Sequence, residues 1–193
     1  DAAWVVGTNQ GMLDTGAIAN TTYHIHLIHR SDTGVSDYLA SASATAPTMP
    51  TSYDYRRRIG SILRESATII AFTQDGDVFE RTTAILDVNA TNPGTAAVTR
   101  TLSVPTGINV WAMYNLNWNT VTSGTGVACY ISDLAVTDAQ GSVTLAPLST
   151  LSSMLGGNNT INPFPVRTNT SAQVRSRVNQ SGAADVLLMA TLG

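Results

Sequence analysis

The chain contains no lysine and only one cysteine, and 12% of its 193 residues are charged. One cysteine excludes an internal disulfide framework and any zinc or iron–sulfur site built from cysteines alone. All ten basic residues are arginines, and the net charge is −3. Such a chain lacks the basic field that attracts a nucleic-acid backbone or an anionic lipid surface. We therefore expect no nucleic-acid partner and no membrane-surface partner.

Long apolar runs are also missing. The longest, at residues 67–72 and 186–190, fall far short of the ~20 residues that a membrane-spanning helix needs, so no membrane insertion is expected. Yet 43% of the residues are hydrophobic, which is not the composition of a disordered chain. The length predicts a single domain over residues 1–193. Because the chain starts at Asp1 and not at Met, we expect it to be a fragment of a longer protein.

The sequence is typical of β structure nearly throughout. Segments rich in Val, Ile, Thr and aromatic residues recur at intervals of roughly 8 to 15 residues between turn signals, and no convincing helix pattern occurs. We expect a long loop at residues 151–162, where glycines and asparagines cluster. The pattern predicts an all-β, antiparallel β-sandwich or jelly-roll-like domain. The predicted strands are residues 23–28, 35–41, 58–63, 68–74, 78–85, 96–104, 109–119, 129–136, 142–145, 173–178 and 185–190.

Two histidines are spaced for one side of a strand. His24 and His26 are two residues apart, so their imidazoles project the same way. Two ligands are too few for a metal site in one chain, but three copies that meet on a trimer axis would supply six, which suits a first-row transition ion. The alternative hypothesis needs no cofactor: both are polar residues on the solvated face of a half-buried strand.

The segment around residues 110–119 has one apolar and one polar face. Alternation assigns Ala112, Tyr114, Leu116 and Trp118 to the core. The opposite face combines an indole plane with a row of amides, the chemistry that binds a sugar. The alternative is that a loop or a neighbouring subunit covers the indole. The candidate receptor- or glycan-binding residues are Trp111, Asn115, Asn117 and Asn119.

Signals of catalysis are weak. The sequence shows no paired carboxylates at a useful spacing, no Ser-His-Asp set and no nucleophile elbow. Two glutamates and three clustered histidines leave little scope for acid–base chemistry. Cys129 lies in an apolar alternation and is predicted to be a core residue. We expect the chain not to be an enzyme.

The only basic run is residues 56–58. Alternation turns Arg57 away from Arg56 and Arg58, so the three guanidiniums do not converge on one anion. We expect structural roles for them, with pairing to Asp54, Asp75 or Glu80 near the strand ends. Residues 75–77 read Asp-Gly-Asp, which predicts a tight hairpin turn and not a calcium loop.

Several segments together resemble a domain of tailed-bacteriophage virion proteins, often found toward the C-terminal end of tail fibres and other tail-associated structural proteins. The resemblance is close in the first half of the chain and looser around residues 102–107 (LSVPTG). The family's usual Gly-Trp ending is absent, since the chain closes on Thr-Leu-Gly. The matching segments are residues 13–19 (LDTGAIA), 22–28 (TYHIHLI), 39–50 (LASASATAPTMP), 55–62 (YRRRIGSI) and 72–79 (FTQDGDVF).

The resemblance implies a non-enzymatic β-sandwich module of an extracellular virion, commonly a homotrimer. It would contact other phage tail proteins and present loops to a bacterial surface glycan or protein, although no family motif marks a receptor-contacting residue. A distal tail-fibre or receptor-binding module is the leading hypothesis. The alternatives are a purely structural trimerisation, collar or capsid-decoration domain, and a carbohydrate-binding module attached to a depolymerase.

Overall fold

The computed structural model describes residues 12–121, 127–139, 150–153, 158–161 and 165–193. These residues form 17 strands, and no helix occurs among them. The chain divides into two compact units, an N-terminal unit Asp1–Ala71 and a C-terminal unit Phe72–Gly193. The predicted all-β class is confirmed. The prediction of a single domain over residues 1–193 stays a prediction, since compactness alone does not establish independent folding.

The N-terminal unit is built on one five-stranded sheet. Its order is β1-β3-β2-β4-β5, with β1 parallel to β3 and the other neighbours antiparallel. Gly34 takes a φ of +76° in the connection between β2 and β3, a conformation that glycine adopts without steric cost. The strands are β1 (Met12–Leu13), β2 (Thr22–His29), β3 (Ser36–Ser41), β4 (Tyr55–Glu65) and β5 (Thr68–Ile69).

The C-terminal unit holds the remaining strands. A hairpin of β6 and β7 turns at Gly76 and Asp77, as the Asp-Gly-Asp motif predicts. The strands are β6 (Phe72–Asp75), β7 (Val78–Arg81), β8 (Ile85–Thr91), β9 (Val98–Thr101), β10 (Trp111–Ala112), β11 (Tyr114–Asn119), β12 (Val127–Ser132), β13 (Thr150–Ser153), β14 (Asn158–Ile161), β15 (Val166–Arg167), β16 (Gln173–Val178) and β17 (Val186–Thr191).

Eight of these strands form two four-stranded antiparallel sheets, with orders β14-β11-β17-β8 and β13-β12-β16-β9. The chain passes repeatedly from one sheet to the other, so each sheet contains strands that are distant in sequence. These two strand orders are those of an eight-stranded jelly roll. The predicted antiparallel, jelly-roll-like sandwich is therefore present in this unit. A short antiparallel pair, β10 with β15, adds to it.

One hydrophobic cluster fills the C-terminal unit, with side chains from both sheets. The first sheet supplies Leu116, Trp118 and Met189, and the second supplies Ile131 and Val174. Cys129 is fully buried in this cluster, as predicted, and burial raises the pKa of its thiol to about 12. The thiol is therefore protonated near neutral pH, so Cys129 acts as a small apolar core residue.

Several predicted boundaries change. The expected loop at residues 151–162 is wrong, because β13 and β14 pair there with β12 and β11. The pairings join residues far apart in sequence, and local turn composition does not reveal them. The long segments 68–74 and 78–85 are each divided between two strands. The predicted strand at residues 142–145 lies outside the described residues.

Candidate functional site

The predicted two-faced pattern continues without a break across β10 and β11. Burial alternates from residue 111 to residue 120, with every even-numbered residue buried. Trp118 and Ala112 have no solvent exposure, whereas the Trp111 side chain next to Ala112 is 68% exposed. The assignment of Trp111, Asn115, Asn117 and Asn119 to the face opposite the core is confirmed by this alternation. A β-strand extends by about 3.3 Å per residue, so the row from Trp111 to Asn119 is roughly 26 Å long.

The amide row lies beside an aliphatic row on the next strand. In the β11–β17 pairing, Asn115 lies opposite Ala190 and Asn117 opposite Leu188. The three asparagines of the row, Asn115, Asn117 and Asn119, are all partly exposed. The Oδ1 of Asn115 is buried and has no hydrogen-bond partner among the described residues, which is unusual because buried acceptors are nearly always satisfied. This face thus combines amide hydrogen-bonding groups with apolar surface.

The indole of Trp111 has a charged neighbour. In the β10–β15 pairing, Trp111 lies directly opposite Arg167, so both side chains project from the same face of this strand pair. Arg167 Nη1 lies 3.0 Å from Asp133 Oδ2 in an ion pair, which orients the guanidinium. Burial raises the pKa of Asp133, but the Ala135 N–H and the Arg167 guanidinium outweigh it and lower the pKa overall. The carboxylate therefore stays charged near neutral pH and holds Arg167 beside the indole.

The structure places His24 and His26 inside the N-terminal unit. Their side chains are 0% and 2% exposed. His24 Nδ1 hydrogen-bonds Ser61 Oγ at 2.8 Å, and His26 Nε2 donates to the Ser43 carbonyl oxygen at 3.1 Å. Met49 and Tyr53 pack against Ile28 and Leu39 on the same side of the sheet. Residues 42–54 therefore cover this face, which we call the histidine face.

This burial contradicts the expectation of a solvated histidine face. It also does not fit a metal shared on a trimer axis, because such a site needs imidazole nitrogens at the surface of each copy. Among the described residues no group of three or more His, Cys, Asp and Glu side chains is arranged to hold a metal. The sequence could not reveal the cover, since it comes from residues that are distant in the chain, as the His26–Ser43 bond across 17 positions illustrates.

Burial lowers the pKa of His26, and the nearby charges of Arg56 and Arg58 lower it further. The hydrogen bond to Ser43 and the charge of Asp14 raise the pKa, but the net effect of all these contributions is a lowered pKa. Because a carbonyl only accepts, the neutral ring carries its proton on Nε2. The second ring nitrogen, Nδ1, is buried and has no hydrogen-bond partner in the part of the chain that the structure describes. His26 is thus held as a neutral imidazole.

The arginine run separates as predicted. The β2–β4 register pairs His26 with Arg58, Leu27 with Arg57 and Ile28 with Arg56. Arg56 and Arg58 therefore lie on the histidine face, and Arg57 lies on the other face of the sheet. The expected pairing with Asp54 does not occur. Instead Arg56 donates to the Thr45 carbonyl, and Asp54 accepts from Ser31.

Sequence reasoning missed a second exposed cluster, on the other side of this sheet. Two tyrosines, a leucine and an arginine lie on adjacent strands there, and the tyrosines are among the most exposed large hydrophobic side chains that the structure describes. We call this set the tyrosine–arginine patch; its members are Leu27, Tyr38, Tyr55 and Arg57. The alternation of β2 could have indicated Leu27, but nothing local indicates which residues of β3 and β4 lie beside it.

Within the described residues, no helix is long and apolar enough to span a membrane. The chain was compared with protein-family models, with curated proteins and with solved structures, and none of them matches it.

Proposed function

We propose that the chain is a virion module of a tailed bacteriophage that adheres to a bacterial surface glycan or protein. The observation that carries the proposal is the exposed indole of Trp111, at the end of a row of amides on the outer face of a β-sandwich. Aromatic planes that remain exposed beside amide donors and acceptors suit a sugar, since the apolar ring face stacks and the hydroxyls hydrogen-bond.

Two further points support this proposal. The segments quoted above resemble tail-associated virion proteins, for which adhesion is a typical role. Jelly rolls are also the architecture of many viral capsid and lectin domains, although a fold by itself does not specify a function. The setting that we propose is the extracellular virion, with the other tail proteins of the phage as neighbours.

The experiment is the adsorption of the purified, fluorescently labelled chain to a panel of bacterial cells. We expect Trp111→Ala to weaken adsorption by a factor of about 30 or more, as truncation of a central interface tryptophan costs about 2 kcal/mol or more. Val78→Ala is the control, since Val78 is a 51% exposed apolar residue on a separate hairpin. Adsorption by Trp111→Ala at the wild-type level would contradict the assignment of the site.

A purely structural role is the second candidate. The aliphatic residues beside the amide row, with Leu86 53% exposed on the neighbouring strand, suit a face that another virion subunit covers. Under this hypothesis light scattering finds a homotrimer of three 20.3 kDa chains, and the isolated chain adsorbs to no cells. A monomer that adsorbs to cells excludes this role.

A further inference from the structure

Among the described residues of the N-terminal unit, the tyrosine–arginine patch contains the most exposed aromatic side chains. Tyr38 is 60% exposed, Tyr55 is 63% exposed and Leu27 is 37% exposed. Arg57 is also exposed. Tyrosine and arginine are the residue types that binding surfaces favour, because they supply a large rigid contact and a directed charge at a small entropic cost.

Strand register brings the four side chains together. Leu27 lies directly opposite Tyr38 on one side and Arg57 on the other. Neighbouring strands are about 4.8 Å apart, so Tyr38 and Arg57 are roughly 10 Å apart across β2. Tyr55 lies opposite His29, one step further along the same face, and the two rings have centroids 6.3 Å apart. The patch has the width of one to two sugar rings.

A β-bulge creates this arrangement. The β2–β4 register passes from Ile25 opposite Gly60 to His26 opposite Arg58, which leaves Ile59 as an extra residue in β4. An extra residue inverts the faces of the residues on one side of it relative to those on the other. Without the bulge, Arg57 and Tyr55 would lie on the same face as Ser61, which is the histidine face. With the bulge, both side chains lie on the opposite face, the face of Leu27.

The charge of Arg57 has no counterion in the part of the chain that the structure describes. The neighbouring cations are engaged on the other face: Arg56 donates to the Thr45 carbonyl at 3.1 Å, and Arg58 Nη1 lies 3.5 Å from Ser61 Oγ. The nearest acids in sequence are not on the patch. Asp54 accepts from Ser31, and Asp37 alternates onto the face opposite Tyr38. The patch therefore presents one uncompensated guanidinium flanked by two phenol rings.

We infer that the patch is a binding site for a uronic-acid sugar, separate from the Trp111 row. A pyranose ring stacks on Tyr38 or Tyr55, and its carboxylate pairs with Arg57 in the bidentate geometry that guanidinium and carboxylate favour. The inference rests on the proposed adhesion function for its biological setting, and it adds the ligand class: an acidic surface polysaccharide. The guanidinium distinguishes this class from neutral sugars, which would leave its charge unpaired.

The test uses the whole chain and two matched probes, trigalacturonate and its methyl ester, which has the same rings without the charge. Binding is followed through backbone amide chemical shifts, which also locate the site. We expect shifts at Leu27, Tyr38 and Arg57 with the acid, and a loss of about tenfold in affinity for the acid in Arg57→Gln, the scale of one charge-assisted pair. The affinity for the ester should be the same in Arg57→Gln and the wild type.

Arg58→Gln is the control, because it removes the same charge from the adjacent position on the opposite face. It should bind the acid as the wild type does, while Tyr38→Ala should weaken binding of both acid and ester. Equal affinity of Arg57→Gln and the wild type for the acid would overturn the inference. Shifts that cluster around Trp111 would overturn it too, and would leave the adhesion proposal standing. Binding at the patch by a chain that adsorbs to no cells would instead refute only the adhesion function.

Discussion

At the scale of single residues, burial determines the chemistry of each group more than its identity does. His26 and His29 belong to the same strand, yet His26 is enclosed and donates to a backbone carbonyl, whereas the partly exposed His29 contacts the hydroxyl of Ser36. The spacing of two histidines in a sequence indicates a shared face. It does not indicate whether that face is open, and here a connecting segment closes it.

The lowered pKa of His26 makes stability depend on pH. In the unfolded chain the imidazole has its ordinary pKa of 6.5, and in the folded chain its pKa is lower. The unfolded state therefore binds more protons as the pH falls through this window, so the free energy of unfolding decreases. We expect a decrease between about pH 7.5 and about pH 5.5, above the range in which ordinary carboxylates titrate.

The measurement is urea unfolding of the wild type and of His26→Gln at both pH values. The Gln amide keeps a donor for the Ser43 carbonyl but does not titrate, so its free energy of unfolding should decrease less over this range. His29→Gln serves as the control for a partly exposed imidazole. An equal pH dependence in His26→Gln and the wild type would show that His26 does not carry the effect.

At the scale of elements, β10 and β11 separate two roles along one stretch of chain. The two tryptophans of this stretch differ completely in exposure, at 68% for Trp111 and 0% for Trp118. They lie an odd number of positions apart, and period-2 alternation alone therefore places them on opposite faces. One is available to a ligand, and the other holds the two sheets together.

This separation predicts that replacing each tryptophan by alanine changes the free energy of unfolding by very different amounts. Trp118→Ala removes a fully buried ring from the core and should lower the free energy of unfolding by about 3–5 kcal/mol. Trp111→Ala should change it by less than about 0.5 kcal/mol, as exposed positions usually do. Urea denaturation followed by circular dichroism measures both. A large loss of stability in Trp111→Ala would show that its ring packs in the core, and the binding-site proposal would fail with it.

At the scale of the whole molecule, the hydrophobic cores follow the division into two units. The large cluster around Trp118 contains only residues of the C-terminal unit, and the two small clusters around Leu39 and Tyr23 contain only residues of the N-terminal unit. Cooperative unfolding requires shared contacts, so separate cores favour separate transitions.

We therefore expect two transitions in differential scanning calorimetry of the full chain. Trp118→Ala should lower the midpoint of one, and Leu39→Ala, at a cost of about 2–5 kcal/mol, should lower the midpoint of the other. A single transition that both substitutions shift together would contradict this expectation and confirm the single domain that the chain length predicts.

The sequence by itself determined the all-β class and the two faces of residues 111–119. Both are local properties: side-chain composition favours extended backbone, and the pleat alternates neighbouring side chains whatever surrounds them. It also indicated the core position of Cys129 and the turn at Gly76, for the same reason.

Only the tertiary structure decided which faces are covered and which strands are neighbours. The cover over His26, the pairings of β13 and β14, and the jelly-roll strand order all depend on contacts between residues that are distant in the chain. The bulge at Ile59 is the clearest case. One extra residue, accommodated only because β2 pairs with β4, moves Arg57 and Tyr55 from the histidine face to the opposite face, beside Leu27. Alternation within a strand fixes relative orientation, but the pairing with a neighbour fixes which side is the surface.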